Sequence, residues 1–480
     1  MHIAQIGIYP ISSRFYDGCP AKTELTVGII VAVTAVFKIV MFGSSLAIFG
    51  DIVFLVALLV LRSQAALIML LLASSIAIPS VPGIDKVLGG PFLIEIAIAI
   101  LAFKVWHSSR YSIKLYLPKL LLIATCGYGI LLIISVVRGG KVADHLVTTR
   151  YFLLLLMTAY AARGWVIHRT IARDSVEELL FRALRAGLAV YCLLFILQFF
   201  TPEVYDQIFR SSGGEREGTR VAYQIQGYIP IVSLSLLFAG TMRVNDPHFP
   251  KFYAGLARQK WIILALFGMI ATGARMILLQ WILVAGIFIF FRSRRAFVGI
   301  IFAAIFGILI LSLPMFSSLI ERFSSISDSD AFIGNLGIRL LPAALAITEM
   351  SGFDYVIGKG FDYKFFVPWF ETRSDDFDAY STFIDQLWAT IFVQAGIAGS
   401  LLALLPFISG LIFYVRNRTS LRYTPTVRFL ILFYLMGIHG FANFAYAKNV
   451  YVILGFLIGA AVAFKVKPNE NTPRVLPEQR

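Results

Sequence analysis

The sequence predicts an all-α polytopic membrane protein of about 14 transmembrane helices (12–14), with one large extracytoplasmic loop. Three observations predict it. Of the 480 residues 59% are hydrophobic and only 14% charged, with a mean hydropathy of +0.81, which is far too apolar for a water-soluble domain. The apolar residues fall into runs long enough to cross a bilayer, separated mostly by short polar stretches. Charge is also sorted by side. With the N-terminus inside and the spans alternating, the inner segments hold 26 Lys and Arg against 8 Asp and Glu, and the outer ones 14 against 17. This positive-inside pattern accounts for the net charge of +15 without invoking nucleic acid.

Residues 1–25 are mixed in character and read as a cytoplasmic tail. They lack an apolar core followed by a small-residue cleavage site, so the first span is expected to serve as the insertion signal. Residues 26–314 carry spans 1–11 with short loops, at 26–42, 45–61, 65–81, 91–107, 118–137, 150–164, 183–200, 222–242, 259–272, 276–291 and 296–314. Residues 315–385 form the large outer loop. Spans 12–14 follow within 386–465, at 386–415, 427–445 and 449–465, and 466–480 is a polar cytoplasmic tail. Both termini are therefore cytoplasmic. Inside the large loop, 338–350 (IRLLPAALAITEM) has the spacing of an amphipathic helix. The aromatic cluster 363–370 (YKFFVPWF) suits a membrane interface, and 371–380 is acidic. Cys19, Cys126 and Cys192 indicate neither a disulfide framework nor a metal cluster.

The stretch 259–291 organises the reading of function. One helix of ~31 residues would be ~46 Å long, well beyond a ~30 Å hydrocarbon core. Basic residues flank it on both sides: Arg258 and Lys260 before, Arg292, Arg294 and Arg295 after. Both features fit a hairpin turning at Thr272–Gly273–Ala274, with Arg275 at its outer tip. A guanidinium there must face protein, water or an anion rather than lipid.

Arg216, Arg220 and Arg339 fall on the same side, and guanidinium forks suit phosphate oxygens. The bland alternative is ion pairing within the loops, which Arg216 favours because Glu215 and Glu217 flank it. Asp385 stands where the large loop meets span 12. Ionised, it could accept a proton from an attacking hydroxyl; equally, it could favour the helix macrodipole or cap the first turn. His439 and Asn443, one helical turn apart in span 13, are secondary candidates, with a helix–helix hydrogen bond as their plainer role. A Lys38–Asp51 ion pair is expected between the first two spans. His145 reads as the one outer loop histidine, with nothing nearby to form a triad. Asp375, Asp376 and Asp378 read as a solvated face, so no metal site is expected.

Several of these stretches together resemble the bacterial O-antigen ligase and Wzy-type polysaccharide polymerase superfamily. ATGARMILLQ (271–280), with Arg275 and Leu279, resembles its hairpin tip. VIGKGF (356–361) matches glycines after its large loop through Gly358 and Gly360. Asp385-x10-Gly396 followed by IAGSLL is similar to its His-x10-Gly element, GTRVAYQIQG (218–227) to an arginine-bearing stretch before its eighth span, and Arg339 to a loop arginine. The ligases carry His where this chain has Asp385, which points to the polymerase branch.

The resemblance implies a GT-C-like, metal-independent, inverting glycosyltransferase with no cofactor, in the bacterial inner membrane with a periplasmic active site. It implies undecaprenyl-diphosphate-linked oligosaccharide as substrate, Arg275 and Asp385 as catalytic residues, and Arg220, Arg339 and Arg216 on the diphosphate. Membrane lipids, a chain-length regulator and a flippase would be partners, and nucleic acid would not. An O-antigen ligase acting on lipid A–core is the alternative within the enzyme class. A lipid-linked oligosaccharide flippase is the alternative outside it, and sparse midplane charge and the lack of internal repeats weigh against that one.

Overall fold

The computed structural model describes residues 29–30, 33–34, 47–61, 66, 69–71, 93–108, 119–167, 183, 188–189, 192, 196, 200–201, 340–367, 380–381, 384, 387–416 and 448–463. These residues are mostly helical. In chain order they form α1 (Ala47–Val60), α2 (Leu93–Ser108), α3 (Lys119–Arg138), α4 (Val142–Ile167), the short α5 (Asp354–Ile357), β1 (Phe365–Phe366), β2 (Tyr380–Ser381), α6 (Leu387–Arg416) and α7 (Lys448–Ala463). Residues 340–348 are helical as well. Among the described residues, two helices are long and apolar enough to cross a membrane, Lys119–Arg138 and, within α6, Trp388–Gly410.

Five of these helices coincide with expected spans to within a few residues. The sixth, α4, begins eight residues before the expected span 6. The stretch read as an outer loop is largely helical, since the chain turns at Gly139 and Gly140 and is already helical at Val142, with Asp144 in the first turn where the macrodipole favours an acid. His145 is thus a buried helix residue, which corrects its reading as a loop histidine.

Small residues set the packing. Helix α7 is apolar all round and buried from Tyr451 to Ile458, as a helix enclosed by others must be. It lies along α4, where Gly455 and Gly459 face the backbone between Leu155 and Ala159 so closely that a Cβ on either would collide with it. Helix α4 also packs against α2 and α3, and α6 against α3 and α7. Lys104 of α2 donates to the Leu61 carbonyl just beyond α1, at 2.6 Å. Asp51 of α1 is buried; Lys38, its expected partner, lies outside the described residues.

The described part of the large loop has its own small core. Ala343, Ala346 and Met350 pack with Phe365, Val367, Ile384 and Val393, so the helical spacing read at 338–350 does mark an apolar face. Of the aromatic cluster, residues 363–367 are described. Phe365 is fully buried in this core, on a strand that pairs Phe365 with Ser381 and Phe366 with Tyr380. Alternation along the strand turns Phe365 and Val367 inward, which composition alone did not reveal.

Candidate functional site

A network of polar contacts surrounds the turn 358–361 (GKGF), at the point where the loop core meets α6. The cause lies in α6. At Gly396 the backbone leaves the helical region (φ 64°, ψ −164°), so the i→i−4 ladder is broken around it. The Val393 and Gln394 carbonyls then need other donors. Lys359 N–H donates to Val393 O at 2.8 Å and Gly360 N–H to Gln394 O at 3.0 Å. The approach demands glycine on both sides. A Cβ on Gly358 would fall on the Gln394–Ala395 backbone, and one on Gly396 on Val356 and Gly358. Both residues also adopt positive φ, 79° and 64°, with extended ψ, a region open essentially to glycine alone.

The other face of the turn is held from the first half of the chain. Arg138, at the C-terminus of α3, donates to Gly358 O at 2.6 Å and lies 3.7 Å from the Asp354 carboxylate. Ser135 Oγ accepts from Phe361 N–H at 2.7 Å. The Phe361 ring is buried beside Tyr128 of α3, which stacks on Phe152 of α4. His145, fully buried, lies with Nδ1 2.9 Å from Ser135 Oγ and Nε2 2.8 Å from Gly139 O. A carbonyl can only accept, so Nε2 carries the proton; in the neutral ring Nδ1 accepts from the Ser135 hydroxyl.

Ser135, His145 and Asp362 are the residue types of a hydrolytic triad, which the sequence reading did not anticipate here. Their arrangement does not perform that chemistry. Asp362 Oδ1 lies 3.6 Å from Nδ1, the same nitrogen that faces the serine, whereas a triad sets acid and serine on opposite nitrogens. Nor is the glycine turn a phosphate cradle. Gly358 N–H donates to Asp354 O, and the amides of Lys359, Gly360 and Phe361 all point to protein acceptors. The arrangement holds things in place.

On the outer surface, Glu349 accepts from Lys359 Nζ at 2.9 Å and from the Tyr363 hydroxyl at 2.8 Å, with the ammonium 4.9 Å from the Tyr363 ring centre. Hydrogen bonds from Lys359 and Tyr363 hold the Glu349 carboxyl below the ordinary range; burial, followed by Glu349, pushes the Tyr363 phenol up.

Arg275, Asp385, Arg216, Arg220, Arg339, His439 and Asn443 all lie outside the described residues. Asp385 is bracketed in sequence by two that are described: Ile384, buried in the loop core, and Leu387, where α6 begins. Ile384 N–H faces Thr390 Oγ1 at 3.5 Å, a long contact across the mouth of the helix. Sequence reasoning missed Ser135, Arg138 and His145. The available signal was local: an arginine followed by two glycines at the end of an apolar run, as at a helix C-terminus.

Fold and site together define a mostly helical chain with candidate membrane spans, whose loop is tied by glycines into a kinked helix. The chain belongs to a family described as Family of unknown function (DUF6369), whose match covers residues 223–470, just over half of the sequence. That span takes in Arg275, Arg339, Asp385, His439, Asn443 and the glycines of the turn and kink, and leaves out Arg216 and Arg220. No curated protein matches the chain.

Proposed function

We propose that the protein is a polysaccharide polymerase of the bacterial inner membrane, with about 14 spans and a GT-C-like architecture. It moves a growing glycan from an undecaprenyl-diphosphate carrier onto a lipid-linked repeat unit at the periplasmic face. The acceptor hydroxyl attacks the donor's anomeric carbon. The bond from that carbon to the phosphate oxygen breaks, and the lipid diphosphate leaves with the electron pair. Asp385 takes the hydroxyl proton, while Arg275, with Arg220, Arg339 and Arg216, stabilises the charge that develops on the diphosphate. A diphosphate leaves readily, so positioning and charge stabilisation carry most of the rate.

The observation that carries this reading is the meeting of two stretches behind the resemblance. The Gly358/Gly360 turn sits on the Gly396 kink, eleven residues after Asp385. Two further contacts support the topology. Arg138 and the turn it binds both fall outside in the alternation of spans, and Leu61 and Lys104 both fall at the inner side.

Arg275→Ala is expected to abolish polymer at normal protein level and to leave products capped with a single repeat; full-length polymer would overturn the proposal. Asp385→Asn is expected to insert normally and polymerise poorly. A deletion strain that accumulates long lipid-linked chains rather than single units would indicate a ligase instead.

A further inference from the structure

We infer that Ser135, Arg138 and His145 are positioning residues for the mouth of α6, acting through the 358–361 turn on the stretch that holds Asp385. The inference rests on the reading of Asp385 as the reacting acid. Its geometry can be tested without that reading.

The polar groups of the cluster complement one another. Gly139 O accepts from His145 Nε2–H, His145 Nδ1 accepts from Ser135 O–H, and Ser135 Oγ accepts from Phe361 N–H. The next two amides back along the turn, those of Gly360 and Lys359, donate to Gln394 O and Val393 O, the carbonyls released by the kink. The chain of contacts therefore runs from the α3–α4 corner to the first turns of α6. Arg138 fixes the same turn from its other end, through Gly358 O and the Asp354 carboxylate. Ser135 and His145 are buried and turned toward each other and the turn, and Arg138 meets the turn through Nη1. Their effect passes through the turn. Without Ser135, the buried Phe361 amide loses its acceptor and the turn grips Val393 O and Gln394 O less firmly, next to the core in which Val393 packs with Ile384, the residue before Asp385.

The test uses the full chain in phosphatidylethanolamine–phosphatidylglycerol vesicles. In one arm, Cys19, Cys126 and Cys192 are replaced and Asp385→Cys is labelled with a membrane-impermeant maleimide, alone and combined with Ser135→Ala, Arg138→Ala or His145→Gln. The Ser135→Ala combination is expected to label several-fold faster, because a turn that has lost an acceptor holds the start of α6 less firmly. In the other arm, Asp385 is kept and transfer is assayed with the lipid-linked single repeat purified from an Arg275→Ala strain. Ser135→Ala is expected to lower kcat by ~10²-fold with KM nearly unchanged, as misplacement of a reacting group does. Labelling at the parental rate in all three combinations overturns the inference, whatever happens to transfer. Faster labelling with normal kcat upholds the positioning role and overturns Asp385 as the reacting acid. Should the unmodified protein transfer nothing, the functional reading fails and the labelling arm still decides the positioning role.

Discussion

The α4–α7 contact and the turn-to-kink contact both depend on glycine, for opposite reasons. Between α4 and α7 both helices keep regular geometry, and Gly455 and Gly459 remove side-chain bulk so that two ladders can lie against each other. At the turn, Gly358 and Gly396 take the backbone out of regular geometry, and the broken ladder is completed from elsewhere. The first contact is apolar and held by shape. The second is a polar network in which every released carbonyl needs a particular amide. A shape contact is sensitive to added volume and indifferent to hydrogen bonding; a network is sensitive to both.

The largest expected effects come from making both glycine contacts impossible. Gly459→Leu drives a side chain onto the Ala159 backbone, where no flexible atom can yield. It is expected to prevent recovery of monodisperse protein in detergent. Ile458→Val, one residue away on the same buried helix, removes only a methylene and is expected to cost about 0.5–1.5 kcal/mol in thermal stability. Equal yields for the two variants would mean that the helices do not meet at Gly459.

Gly396→Ala and Gly358→Ala are each expected to cost about 1–3 kcal/mol from backbone strain alone, with the collision added. Because the two residues touch, the double variant is expected to fall short of the summed single effects, by about 0.5–3 kcal/mol. Unfolding midpoints of the three variants measure this. Strict additivity would separate the turn from the kink.

The difference between the two contacts also explains what could be read from the sequence. Six described helices were legible because an apolar run between charges is a one-dimensional signal. The small-residue pair Gly455/Gly459 was equally visible and passed unread. The network was not legible, since it joins residues such as Ser135 and Phe361 that lie 226 positions apart and whose identities are unremarkable one at a time. His145 shows the limit: it fell between two expected spans and so read as a loop residue, whereas Ser135, Gly139 and Asp362 surround it in the structure. Gly358, Gly360 and Gly396 stood out through a resemblance, and their mutual contact gives that pattern a physical cause.

Ser135→Ala sharpens the comparison without altering the backbone. It leaves shape almost intact and removes one acceptor, for Phe361 N–H, and one donor, to His145 Nδ1, so a contact held by shape would not notice it. The buried Phe361 amide loses its partner, at an expected cost of about 1–3 kcal/mol. Thr158→Ala, on α4 against Gly455, removes a hydroxyl bonded only to its own helix and is expected to cost clearly less, as read from thermal unfolding of the two variants side by side.

The smallest effect belongs to the outer rim of the network. The Glu349 carboxyl is held below its ordinary value of 4.5, first by hydrogen bonds from Lys359 and Tyr363. A carboxylate lowered on folding contributes stability that is complete above its unfolded value and lost as pH falls through its folded one. The Glu349 contribution should therefore be constant between neutrality and about 5 and be lost only under more acid conditions. Glu349 is more than half exposed, so water and salt screen the contribution to a small fraction of that from Ser135. Glu349→Gln is expected to flatten the acid limb of stability against pH and to leave neutral stability almost unchanged. A large loss at neutral pH would mean that the rim, rather than the buried network beneath it, holds the turn.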